Sequence, residues 1–144
     1  MIPALGNVDQ SIDPTGTQVR NLRDNGPDGP VVMLNLLKFR DVAKYPADSG
    51  FTAASGAEAY KHYQHAFVVT VGATSQAQVL YDGPAQNVVI GDPAAKEADW
   101  DKVLIVRYPS RQHFLAMMAD ADYRKALVHR YAGLERTVLI QCGG

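Results

Sequence analysis

The chain has 144 residues, of which 47% are hydrophobic and 20% charged, and its formal net charge is −1. These proportions are typical of a soluble globular domain and exclude a disordered or fibrous chain. The mixed acidic and basic residues form no basic stripe, which argues against nucleic-acid and anionic-membrane partners. No run reaches the roughly 18 apolar residues that cross a bilayer. The only cysteine, Cys142, can form no internal disulfide, so the cytoplasm is the expected compartment.

The first 29 residues are predicted to form a leader with one short helix. An Asp-Pro pair at 13–14 offers an N-cap followed by proline at the first helical position, and a Gly-Pro pair at 26–27 ends the helix. We therefore divide the chain into a leader at 1–29 and a single domain at 30–144.

The run VVMLNLLKFR at 31–40 predicts the first strand, and it contains one amide, Asn35. Because side chains alternate along a strand, Asn35 shares a face with Met33 and Leu37. A buried amide without a partner costs about 1–3 kcal/mol, so this one must be paired. It is either a fixed hydrogen-bonding group in a pocket or an internal structural tie.

Residues 41–56 are rich in small and turn-forming side chains and predict a surface loop long enough to act as a lid. Ser55 and Glu58 then form a capping box, and apolar residues follow at helical spacing. This pattern predicts a helix over 55–70.

The second half of the chain alternates strand and helix patterns. A strand is predicted at 77–82, and residues 86–90 either continue it or begin a second strand. The other predicted elements are a strand at 102–108, a helix that starts after Ser110, breaks near Asp120 and ends at Gly133, and a strand at 137–142.

This order of elements predicts an α+β fold: a ferredoxin-like split βαβ arrangement with an antiparallel sheet, two main helices and an added N-terminal helix. Two helices can cover only one face of the sheet. In the strands at 31–37 and 102–108, however, both alternating sets of side chains are largely apolar, which indicates burial on both faces. A second copy of the chain is the simplest cover, so we expect a homodimer.

Several segments also match a known family in order and spacing. They are NLLKF at 35–39, SGAEAYKHY at 55–63, WDKVLIVRYPSRQHFLAMM at 100–118, and the later DYRKAL and AGLE. Over roughly residues 30–140 the chain resembles an uncharacterised domain-of-unknown-function family of the dimeric α/β-barrel superfamily. The resemblance implies subunits that pair through their sheets, with a ligand pocket between sheet and helices. That superfamily includes cofactor-free monooxygenases, isomerases, polyketide cyclases and haem-binding chlorite dismutases, so its fold does not define the chemistry.

Six side chains are the predicted ligand-binding residues. Arg107 would hold a carboxylate or enolate oxygen, or else extend to water or an acidic neighbour at the strand end. The aromatic residues would either pack the core or surround the polar groups as pocket walls. The six are Asn35, Tyr60, Tyr63, Trp100, Arg107 and Tyr123.

No sequence motif predicts a metal or cofactor. His62 and His65 have a metal-like spacing, but both lie off the apolar face of their helix, and His113 and His129 are likewise expected at the surface. Arg130 is explained by the dipole at its helix terminus. The predicted function is binding of a small, partly apolar metabolite. The alternative is a cofactor-free monooxygenase, isomerase or cyclase, in which Tyr63 or a loop histidine would have to serve as the general base.

Overall fold

The computed structural model describes residues 9–144 and shows an α+β fold. The nine helices and strands of this part of the chain are α1 (Gly16–Asp24), β1 (Val31–Phe39), α2 (Gly56–Phe67), α3 (Ala73–Ser75), β2 (Gln78–Pro84), β3 (Lys102–Tyr108), α4 (Arg111–Ala119), α5 (Ala121–Gly133) and β4 (Leu134–Gly143). A π-helical turn joins α2 to α3, and a short 3₁₀ turn precedes β3.

The strands form one antiparallel sheet in the order β2-β3-β1-β4. Helix α2 lies between β1 and β2 in the chain, and α4 with α5 lies between β3 and β4. This is the ferredoxin-like arrangement that the sequence predicts. Asn35, at the centre of β1, lies opposite Leu104 on β3 and Leu139 on β4.

The predicted helix boundaries are mostly close to the observed ones. Helix α2 begins after its Ser55 cap, but the helical path continues through the π-helical turn to α3, where Gln76 takes a left-handed conformation (φ 54°). The predicted break at Asp120 is present, because this residue ends α4 and caps α5. The first helix is capped by Thr15 rather than Asp13, since Thr15 and Gln18 form a reciprocal capping box.

Residues 77–90, predicted to form either one strand or two, contain a single strand. Strand β2 has a bulge between Val79 and Tyr81, and residues 85–90 are in no strand. The last strand begins at Leu134, three residues before the predicted start, because the chain enters the sheet directly from α5.

The two faces of the sheet differ in what covers them. The inner face packs against the helices, and its buried side chains from β1 and β3 are Val31, Met33, Leu37, Leu104, Val106 and Tyr108. The opposite face, called the outer face, carries Val32, Leu34, Leu36, Tyr81, Val103, Ile105, Val138 and Ile140. None of these outer residues belongs to the core of the described chain, and Ile140 is 45% exposed.

The described part of the leader is packed onto the domain. Ile12 is buried in the core, and α1 contacts α4. The side chain of Arg111 donates from Nη1 to the carbonyl oxygens of Pro27 (2.6 Å) and Gly26 (3.1 Å). The turn that follows α1 is therefore held by a buried cation of α4.

Helices α2 and α5 touch backbone to backbone at two glycines. A Cβ atom on Gly56 would lie 2.5 Å from the carbonyl oxygen of Gly133 and 2.6 Å from the amide nitrogen of Arg40. A Cβ on Gly133 would lie 2.6 Å from the Gly56 oxygen. The amide of Arg40 donates to the carbonyl oxygen of Gly133 at 2.8 Å, so this contact also fixes the end of β1.

Over residues 9–144, no helix combines the length and apolarity needed to cross a membrane.

Candidate ligand cavity

A cavity of about 870 Å³ lies between the inner face of the sheet and the helices, a volume within the usual range for small-molecule sites. Its walls come from all four strands, from the five helices and the π-helical turn, and from the segment around Ile12. Most of the lining is apolar, and its larger side chains include Met33, Leu37, Phe67, Leu104, Phe114, Met117 and Leu127. Polar side chains from the helices and strands complete the lining.

Five tyrosines line the cavity, and three of them, Tyr60, Tyr63 and Tyr123, are those that the helical spacing of α2 and α5 predicts. Tyr60 and Tyr63 lie one turn apart on α2, with ring centroids separated by 5.2 Å. The hydroxyls of Tyr63 and Tyr123 are 2.8 Å apart and share a hydrogen bond across the two helices. The Tyr60 hydroxyl makes no hydrogen bond within residues 9–144.

Burial determines the protonation state of these tyrosines. It raises the pKa of Tyr60, Tyr63 and Tyr123, and in each case the nearby Arg130 cation opposes the rise without cancelling it. At neutral pH the three phenols are therefore protonated. They can donate hydrogen bonds to a ligand, but the raised pKa makes Tyr63 unsuited to the role of general base.

Asn35 lines the cavity and is tied to the sheet. Its Nδ2 donates to the carbonyl oxygens of Leu104 (3.0 Å) and Met33 (3.3 Å). Its Oδ1 accepts no hydrogen bond from the described residues. The amide group is thus an internal tie through its nitrogen, while its oxygen remains an available acceptor at the cavity wall.

Two of the six predicted residues lie outside the cavity. Arg107 pairs with Val32 and points to the outer face, because it alternates with the inner-facing Val106 and Tyr108. Trp100 lies before β3 and donates from Nε1 to the backbone carbonyl oxygen of Glu97 at 2.7 Å, with the Arg136 guanidinium 4.3 Å from the centroid of its ring. The structure brings together the other four: Asn35, Tyr60, Tyr63 and Tyr123.

Arg130 is the cavity residue that the sequence interpretation missed. Its Nη2 donates to the Ile12 carbonyl oxygen at 2.7 Å, and its Nη1 lies 3.4 Å from Asp13 Oδ1. The signal was its position on α5, seven residues after Tyr123 and therefore on the same helical face. The sequence analysis explained Arg130 by the helix dipole alone and did not predict its contact with the leader.

A second polar cluster lies outside the cavity and corrects two predictions. His129, expected at the surface, is only 9% exposed and accepts or donates a 2.6 Å hydrogen bond between its Nδ1 and the Tyr45 hydroxyl. Phe51 packs edge-on against its ring, and His62 lies beside it. The loop at 41–56 supplies Tyr45 and Phe51 but no cavity-lining residue, so it covers the far side of α2 and α5 and is not a lid on the cavity.

The buried His129 predicts a pH-dependent stability. Burial and the neighbouring His62 lower the pKa of His129 from its ordinary value of 6.5. Below that value the unfolded chain binds a proton that the folded chain resists, so the free energy of unfolding falls as the solution is acidified. We expect His129→Asn, which keeps an acceptor near the Nδ1 position, to lose less stability than wild type between about pH 8 and about pH 5.5.

Urea denaturation of both proteins at the two pH values measures this difference. The exposed His65 provides the control, because His65→Asn should leave the wild-type pH dependence unchanged. Equal pH dependence in wild type and His129→Asn would show that His129 does not resist protonation in the fold.

The fold and the cavity together define a ferredoxin-like α+β protein with an internal space of small-molecule size. A family model described as "Domain of unknown function (DUF1330)" matches residues 52–143. The chain therefore belongs to this family, which confirms the resemblance to an uncharacterised family. Among functionally curated proteins, none matches the chain.

Solved structures agree with this assignment. The RPA0582 protein of unknown function from Rhodopseudomonas palustris is 34% identical with a TM-score of 0.80, and the alignment covers 92% of this chain and 95% of that one. The structure of methylated RPA0582 is 35% identical with a TM-score of 0.75, covering 92% and 93% of the two chains. At much lower similarity, a dabb family protein with a ferredoxin-like fold from Mesorhizobium loti is 10% identical with a TM-score of 0.41, covering 81% and 97% of the two chains.

Proposed function

We propose that this protein binds a small, partly apolar molecule in the cavity between the inner face and the helices. The observation that carries the proposal is the cavity itself. It has a volume of about 870 Å³ and a mainly apolar lining that includes polar side chains. These groups are of the kind that orient a ligand: the Asn35 oxygen, the Tyr60 hydroxyl and the Tyr63–Tyr123 pair. The cytoplasm is the proposed compartment, since the sole cysteine can form no internal disulfide.

We favour binding over turnover because the described walls offer no suitable base. Cofactor-free oxygenation, isomerisation and cyclisation each require a group that removes a proton from carbon. The cavity tyrosines stay protonated at neutral pH, and Asp13, the one carboxylate among the described lining residues, is paired with Arg130. His129 lies outside the cavity. A ligand recovered unchanged after incubation with the protein would support binding, and a new product would support the enzymatic alternative.

We also propose that a second copy of the chain covers the outer face. This face presents aliphatic side chains from three adjacent strands, and Val138 and Ile140 on β4 are 39% and 45% exposed. An exposed apolar patch of this kind is typical of an interaction surface. Covering it with the same face of another copy would account for apolar side chains on both faces of β1 and β3.

Removing the shared tyrosine hydroxyls tests the binding proposal. A thermal-shift screen of wild-type protein against small apolar metabolites supplies a ligand, and calorimetry then gives its Kd. We expect the double variant Tyr63→Phe/Tyr123→Phe to bind that ligand about tenfold more weakly, because two hydrogen bonds of about 0.5–1.5 kcal/mol are affected. The size and apolar character of the cavity are preserved in this variant.

Arg107→Ala is the matched control, since it removes a polar side chain from the same sheet but from the outer face. It should bind like wild type. Unchanged affinity in the folded double tyrosine variant would place the ligand elsewhere and contradict the proposal.

A further inference from the structure

The described lining of the cavity carries a net positive charge, which favours anionic ligands. Among the lining residues that the structure describes, Arg124 and Arg130 are positive and Asp13 is negative. The remaining polar residues of the walls are neutral. A ligand with a negative group would therefore enter a cavity whose lining carries one more positive than negative side chain, whereas a cationic ligand would be repelled.

Arg130 has N–H groups that make no hydrogen bond within the described part of the chain. A guanidinium carries five N–H groups, and the contacts within residues 9–144 use only Nη1, toward Asp13, and Nη2, toward the Ile12 carbonyl. Those two contacts hold the side chain in place at the wall, where 17% of it is accessible. A positioned guanidinium loses little further conformational freedom when it binds an oxygen anion, and its planar fork matches a carboxylate.

The cavity tyrosines add neutral hydrogen-bond donors to this cation. Burial raises the pKa of Tyr60, Tyr63 and Tyr123, so all three stay protonated, and Tyr123 lies on the same face of α5 as Arg130. Tyr60 has no hydrogen-bond partner in the described chain, and the Tyr63–Tyr123 pair has one proton that is not used between the two oxygens. The cavity lining thus offers a cation and neutral donors, while Met33, Leu104 and Met117 contribute apolar wall.

From this arrangement we infer that the ligand is a carboxylate on an apolar body, with its oxygens held by Arg130 and the tyrosine hydroxyls. The inference rests on the proposed function and adds the chemical class of the ligand. Asn35 remains an acceptor and would bind a hydroxyl or amide elsewhere on the ligand. Bringing a carboxylate to a paired guanidinium in an apolar cavity is favourable because the unused N–H groups and phenols satisfy its oxygens.

Two pairs of probes test the inference on wild-type protein. Octanoate is compared with 1-octanol, and 2-naphthoate with 2-naphthalenemethanol, each by calorimetry at neutral pH. We expect each carboxylate to bind at least about tenfold more tightly than its alcohol, because a charge-assisted contact to arginine is added. In Arg130→Gln this difference should vanish, while Arg107→Gln on the outer face should keep it.

The outcomes separate the two proposals. Equal binding of acid and alcohol to wild type would overturn the carboxylate inference and leave the binding proposal standing. If none of the four probes binds folded wild-type protein at millimolar concentration, both are overturned. Should Arg130→Gln fail to fold, Arg130→Lys replaces it: this variant keeps the charge but not the fork, and a full wild-type preference for carboxylates in it would exclude the guanidinium as the anchor.

Discussion

Replacing Gly56 with alanine is expected to lower the free energy of unfolding by about 3 kcal/mol or more, the upper part of the range for overpacked sites. The new methyl group would lie 2.5 Å from the carbonyl oxygen of Gly133 and 2.6 Å from the amide nitrogen of Arg40. Both are backbone atoms, so no side-chain rotation can relieve the contact, and α2 would have to move away from α5. Urea denaturation followed by far-ultraviolet circular dichroism measures the loss.

Gly72→Ala is the matched control for this prediction. A Cβ atom at Gly72 would meet its nearest neighbour, Val68, at 3.7 Å, which is an ordinary contact in a helical turn. This variant should be as stable as wild type or slightly more so, because alanine favours helical backbone over glycine. Equal denaturation midpoints for Gly56→Ala and wild type would show that the two helices do not approach as closely as the structure has them.

Replacing Ile140 with lysine is expected to convert the proposed dimer into a monomer. Ile140 lies on the outer face opposite Leu34, and a charge buried there between two copies would lack a partner and cost several kcal/mol. In the single chain Ile140 is 45% exposed, so the substitution should leave the monomer folded. Size-exclusion chromatography with light scattering should give twice the chain mass of 15.6 kDa for wild type and the chain mass itself for the variant.

Val42→Lys controls for the added charge. Val42 is 71% exposed in the loop after β1 and belongs to no strand of the sheet, so this variant should remain dimeric. A wild-type protein that is monomeric at micromolar concentration would remove the dimer proposal. An Ile140→Lys protein that stays dimeric would place the interface on another surface.

Local patterns were sufficient to predict most of the fold. The Ser55 cap, the break at Asp120 and the apolar runs at 31–39 and 102–108 depend on neighbouring residues only, and their order leaves few topologies. The errors occurred at element ends. Thr15, rather than Asp13, caps α1 because a reciprocal partner stands three residues after it.

The candidate site was predictable only in part, because alternation separates the two faces of a strand without saying which face meets the helices. In β3 both sets are apolar, and Arg107 was assigned to the cavity when it lies on the outer face. Contacts between residues far apart in the chain could not be predicted from the sequence. Tyr45 meets His129 across 84 positions, and Arg130 meets Ile12 across 118, with no local pattern that pairs them.

The contact between Arg130 and Ile12 fastens one wall of the cavity to a residue that is synthesised much later. A ribosome releases the chain from its N-terminus, so the segment that forms this wall emerges long before the residue that fastens it, 118 positions later. Thr137 likewise supplies the amide that binds the Ser11 carbonyl oxygen. Because joining distant residues costs chain entropy, a ligand of the proposed cavity is expected to stabilise the chain only after Arg130 and Thr137 have been synthesised.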